Sequence, residues 1–162
     1  MPLERLWAGW RGEYVEGTHT EADGCVLCRV LESDDKEAYV LWRGRLAAVV
    51  LNAFPYTSGH LMVIPTRHVA EIEGLATEES AELWQALSRS VRALKAAYKP
   101  HGLNVGANIG KEGGAGVPGH LHLHVVPRWA GDTNFMTTVA ETRVMPESLG
   151  RVWEKLSEAW PE

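Results

Sequence analysis

The sequence predicts an α+β fold, a mainly antiparallel five-stranded sheet with one long helix and a C-terminal helix, and three observations carry that reading. Runs of β-branched and aromatic residues broken by turn residues fill "AYVLWRGRLAAVVLNAFP" and "GHLMVIPTRHV". A long stretch from Thr77 to Tyr98 repeats apolar residues at helical spacing. The stretch "GHLHLHVVPRW", Gly119 to Trp129, alternates at period two and gathers three of the seven histidines within five residues.

Taken in order, residues 1–24 are of mixed character, with Trp7, Trp10 and Tyr14 spaced so that a short segment would lay its rings over a core edge. Arg43-Gly44-Arg45 then separates two strands at a tight turn. A third strand, Leu61 to Ile64, is stopped by Pro65. Thr77 is placed to cap the long helix, Glu78 and Glu79 suit its first turn, and Leu83, Trp84, Leu87, Val91, Leu94 and Tyr98 form the stripe expected to pack on the core. Pro100 and Gly102 end it, and "LNVGANIG" alternates as a fourth strand. The loop "GKEGGAGVPG" follows, its glycines turning the backbone sharply or admitting something close. The histidine strand is next, then "TTVAETRVM" as a candidate final strand and "ESLGRVWEKLSEAW" as the terminal helix. No repeat, low-complexity tract or linker divides the 162 residues, so one domain is expected.

Composition narrows the function. With 45% hydrophobic and 23% charged residues the chain is ordinary globular material. No stretch approaches the roughly 18 to 20 apolar residues of a membrane helix, and no secretion signal opens the chain, so a cytoplasmic location and no membrane partner are expected. A formal charge of −5 argues against a general nucleic-acid binder, which needs a broad basic surface. The two cysteines, Cys25-Val-Leu-Cys28, read as metal ligands or a redox couple before a structural disulfide.

In a strand, His120, His122 and His124 project from one side and Leu121, Leu123 and Val125 from the other. Each imidazole needs its own partner if buried, so such a row points to a site. Two chemistries could use it. Neutral imidazoles could hold zinc with an open position that activates water, which would make the row itself the catalytic metal site. Alternatively, one imidazole could attack phosphorus while its neighbours orient it and the phosphate oxygens. The glycine loop favours the second, because bare backbone N–H groups cradle phosphate, although neither a Walker A nor a dinucleotide fingerprint is present.

The stretch "HLHLHVV" matches the His-φ-His-φ-His-φ-φ signature, φ being apolar, of the histidine triad (HIT) superfamily, and the chain resembles that family over nearly its whole length. "LWAGWRGEY", "CVLC", "LNAFPYTSGHLMVIPTRHV" and "GLNVGANIGKEGGAGVPGHLHLHVVPRWAGDTNFM" look most like the bacterial branch related to diadenosine tetraphosphate phosphorylases and hydrolases. The resemblance implies a HIT-like fold, a homodimer with a continuous sheet, and attack of His122 on the α-phosphorus of an adenosine nucleotide to give a nucleotidyl-histidine. It implies that His124 contacts the phosphate oxygens and helps the leaving group depart, and that His60 supports the phosphate and the ring geometry. Asn52 matches a ribose contact and Asn108 a contact to phosphate or bridging oxygen. Gly116 stands where many hydrolase members carry glutamine, which moves the chain away from the common purine-nucleoside phosphoramidase branch.

By the same resemblance, Cys25, Cys28, His68 and His120 make a closed Cys2His2 zinc site, structural because no position remains for water. The activity implied is cleavage of a phosphoanhydride such as that of diadenosine tetraphosphate, with water or phosphate as acceptor and the tail after Arg128 leaning toward phosphate. Against it stand another nucleotide hydrolase of the superfamily, such as one acting on AMP phosphoramidates, and a nucleotide-binding module without turnover.

Overall fold

The structure is a computed structural model, and it describes residues 24–132 and 145–161. Among them are three α-helices and five strands: α1 (Val26–Glu32), β1 (Val40–Arg43), β2 (Ala47–Leu51), β3 (Leu61–Pro65), α2 (Thr77–Tyr98), β4 (Gly102–Ala107), β5 (Leu123–Arg128) and α3 (Leu149–Glu158). The strands form one antiparallel sheet in the order β1-β2-β3-β5-β4.

β2 is buried at all five positions, AAVVL, because the sheet is covered on both faces. Successive side chains alternate between two cores. Ala47, Val49 and Leu51 join Leu61, Val63 and Val125 under α2 and α3, whereas Ala48, Val50 and Ile64 pack with Leu27 of α1. Leu123 and Val125 therefore face the long helix, as the alternation predicts. His124 pairs with Met62, which packs on the α1 side, so His124 lies on the sheet face away from α2.

α2 begins one residue earlier than expected, on the residue placed as its cap. Ala76 is the cap residue and Thr77 the first helical residue; Glu79 turns back to accept the Ala76 N–H at 2.8 Å. The helix closes on Lys99 in the left-handed region, φ 46°, before Pro100. Leu83, Leu87 and Leu94 are buried and Val91 and Tyr98 partly so, but Trp84 is 69% exposed and does not belong to the core stripe. It sits beside Leu83 in sequence, about 100° further round the helix, and only one of two adjacent residues faces the sheet here.

α3 starts at Ser148, whose Oγ accepts from the Arg151 N–H, and buries Val152 and Leu156. Trp153 Nε1 donates to Val40 O at 2.9 Å, tying α3 to the β1 edge. α1 goes beyond the sequence reading, although Val26, Leu27, Val30 and Leu31 carry helical spacing. β4 ends at Ala107, short of the "NIG" expected to extend it, and β5 begins at Leu123. The candidate final strand at 137–145 lies outside the described residues except for Met145, which is not in a strand; the aromatic segment 1–23 lies outside them too. No described helix is long and apolar enough to cross a membrane.

Candidate functional site

The histidine row splits into two constellations. His120, at a bend, and His122 lie in the lead-in to β5, which is tied down where the Leu121 N–H donates to Val69 O at 2.7 Å. Free of strand pairing, His120 turns toward the cysteines while His122 and His124 stay together, their ring centroids 4.9 Å apart.

In the first constellation the hydrogen bonds fix the tautomers. Tyr56 N–H points at His60 Nδ1, 3.1 Å away, making that nitrogen an acceptor. His60 Nε2–H can then donate to His124 Nδ1 at 2.9 Å, which leaves the proton of neutral His124 on Nε2. His124 Nε2 is buried with no hydrogen-bond partner among the described residues. His122 Nδ1–H donates to the carbonyl of His120 at 2.8 Å, so its Nε2 carries a lone pair. Burial, with the neighbouring His122 adding to it, pushes His124 down to about 4, so it is neutral at neutral pH. The result is a nucleophilic nitrogen beside an unused N–H donor.

Around them, Asn52 Nδ2 lies 3.4 Å from His60 Nδ1, and its Oδ1 accepts the Phe54 N–H at 2.9 Å. Asn108 Nδ2 donates to Gly114 O at 3.2 Å, bracing the glycine loop. Gly110 and Gly114 sit at φ 71° and 87°, a region side chains disfavour, and a Cβ on Gly113 would meet Ile109 O at 2.2 Å. Gly116 is exposed in the same loop. Tyr56 escaped the sequence reading: its ring lies 4.5 Å from His60 and 5.9 Å from His124, centroid to centroid. Its only signal is its place four residues before His60 in a loop of turn-forming residues.

The second constellation gathers Cys25, Cys28, His68 and His120, whose ligand atoms all lie within 4.8 Å of one another. His120 Nε2–H donates to Pro65 O at 2.9 Å, turning the Nδ1 lone pair toward Cys25 Sγ at 3.3 Å and Cys28 Sγ at 3.6 Å. His68 Nδ1 is 3.4 Å from Cys28 Sγ. Burial keeps His120 below its ordinary pKa, which preserves the neutral, ligating form. Burial and the adjacent Cys25 raise the Cys28 thiol, an arrangement of two sulfurs that a divalent cation would reverse. This donor set and its closeness suit a metal ion, with His120 as a hinge: its ring faces the sulfurs and its carbonyl holds the His122 ring.

A family model described as the HIT domain matches residues 33–131. The "AP-4-A phosphorylase" of Mycobacterium tuberculosis is 39% identical over 165 residues, spanning 98% of this chain and 85% of that one. The "Bis(5'-nucleosyl)-tetraphosphatase [asymmetrical]" of Schizosaccharomyces pombe is 30% identical over 57% of this chain and 50% of its own. Among solved structures, a Zn-bound histidine triad family protein from Mycobacterium smegmatis superimposes with a TM-score of 0.68 at 27% identity, over 85% of this chain and 94% of that one. A hypothetical histidine triad nucleotide-binding protein from Sulfolobus tokodaii gives the same TM-score and identity over 83% and 91%.

Proposed function

The chain belongs to the HIT domain family, and from that premise we propose that it is a diadenosine-tetraphosphate-type phosphorylase working through a nucleotidyl-histidine intermediate. The observation that carries this is the direction of the hydrogen bonds, which leave a lone pair on His122 Nε2 and an unpaired N–H on His124 Nε2.

His122 Nε2 attacks the α-phosphorus; the nitrogen–phosphorus bond forms as the bond to the bridging oxygen breaks, and the polyphosphate of the leaving nucleotide takes the electron pair. His124 Nε2–H donates to the oxygens that gain charge, and His60 keeps that proton on the outer nitrogen. Asn52 is assigned to the ribose hydroxyls, Asn108 and the Gly116-containing loop to the phosphates. Inorganic phosphate then attacks the adduct and restores neutral His122. Phosphate is favoured over water as acceptor by the similarity to the Mycobacterium tuberculosis phosphorylase, which runs over 98% of the chain, beyond the 33–131 segment that the HIT domain model matches.

Residues 1–162 act as a single domain in this reading, paired in a homodimer through the outer edge of β4. Cys25, Cys28, His68 and His120 hold zinc, which when bound supplies a fixed cross-link between α1 and the histidine lead-in.

The test is incubation with diadenosine tetraphosphate. ADP plus ATP appearing only with phosphate supports phosphorolysis; AMP plus ATP without phosphate replaces it with hydrolysis. His122→Ala should lower turnover about a thousandfold or more. Turnover that survives this substitution overturns the covalent route.

A further inference from the structure

α1 carries two of the four cluster sulfurs and nitrogens, with Cys25 as its cap residue and Cys28 in its first turn, yet it is only seven residues long. A helix of that length is unstable by itself. It buries a single residue, Leu27, fully. Something else must hold it, and its far end shows what. Arg43 Nη1 donates to Leu31 O at 2.5 Å, and its Nη2 donates to Ser33 O at 2.9 Å and Val30 O at 3.3 Å. Its Nε–H is taken by the Asp35 carboxylate. One guanidinium thus gathers three carbonyls at the end of the helix, of which Val30 O also accepts the Ser33 N–H.

Arg43 reaches that end because of a bulge in β1. Val40 opposes Val50 and faces α1, and three residues further on, a regular strand would turn Arg43 to the other face. The register shifts between Val40 and Trp42, so that Leu41 and Trp42 both pack on the α2 side and Arg43 opposes Ala48, which lies under α1.

We propose that Arg43 is a positioning residue for the metal cluster: by clamping the C-terminal end of α1 to the sheet it sets where Cys25 and Cys28 stand opposite His68 and His120. This rests on reading the cluster as a zinc centre. The clamp removes the freedom that α1 would otherwise lose on binding the metal, so it acts on affinity as well as on folding. The planar fork matters, because a lysine offers one point of contact where Arg43 serves three carbonyls and a carboxylate.

The experiment is zinc affinity by competition with a chromophoric chelator, measured well below the unfolding temperature, for wild type, Arg43→Ala, Arg43→Lys and Asp35→Asn. Arg43→Ala should bind zinc about tenfold more weakly, with Arg43→Lys between it and wild type. A purely structural role would lower the melting temperature and leave the affinity of the folded protein alone, so an affinity within about twofold of wild type overturns the inference. Should Arg43→Ala fail to fold, Arg43→Lys and Asp35→Asn decide it, and wild-type affinity in both is again the overturning result. A wild type that takes up no zinc overturns the zinc reading itself, whereas wild-type uptake with an unaffected Arg43→Ala overturns this inference alone.

Discussion

His124 shows how much one residue's surroundings decide. Its ordinary pKa is 6.5, and burial, then His122, brings it to about 4 in the folded chain. Between those values the unfolded chain holds a proton that the folded chain does not. Stability is therefore complete above pH 6.5 and drains as pH falls toward 4, with no further loss from this group below that. After discounting for partial solvent contact the effect is about 2 kcal/mol. In His124→Asn the melting temperature should fall less steeply than in wild type across this window, and parallel curves would refute the assignment. The period-two row made the three histidines legible, and with them the contact of the His122 ring with a backbone carbonyl. The relay through Tyr56 and His60 was not, because a backbone N–H meeting a ring nitrogen depends on how residues 52–60 loop, which has no periodicity to read.

Among the elements, α2 was the most legible, and its two misreadings are instructive. Trp84 looked like core because it is large and apolar, yet angular position on the helix outweighs residue type, and the neighbouring Leu83 takes the inward place. The sequence places the cap at Thr77, whereas Glu79 does the capping and also receives Arg67 Nε–H and Nη2–H at 2.9 and 2.8 Å. Arg67 lies just after β3, so this contact pins the helix start to the segment that carries His68. The Arg67 guanidinium, then the Ala76 N–H, hold the Glu79 carboxyl down to about 2 from 4.5. A lowered carboxyl contributes stability above its unfolded value and loses it as pH falls through the folded one, here from 4.5 toward 2. Glu79→Gln should melt lower than wild type at neutral pH and lose the acid-side decline in that range. A wild-type-like acid limb in the variant would show that the pair contributes nothing. This window lies mostly below that of His124, so the two can be separated in one pH series.

For the whole molecule, β4 is an outer strand of the sheet among the described residues, with Val105 46% exposed and residues 104–106 all exposed. Such an edge invites another strand, and a second copy of the chain would make the sheet continuous. Val105→Lys should convert a dimer to a monomer in light scattering, and a wild type that is already monomeric removes the proposal. The candidate metal cluster is a second feature of the whole molecule, where four residues from three separate segments meet: α1, the loop after β3, and the lead-in to β5. A metal ion held there would bind only the folded chain, so its removal should be felt first as lost stability. At zinc a hundredfold above its dissociation constant the linkage is about 2.7 kcal/mol. For a chain of this size that corresponds to roughly 5 to 10 °C in melting temperature. Dialysis against a chelator should lower the melting temperature by that amount, and added zinc should restore it. Activity should decline less sharply, because the His120 carbonyl, also held through the Leu121 N–H to Val69, still accepts the His122 proton when the ring of His120 has lost its metal. If turnover instead vanishes while the melting temperature is unchanged, the metal acts in the reaction and the division of the histidine row into a structural and a nucleophilic half is wrong.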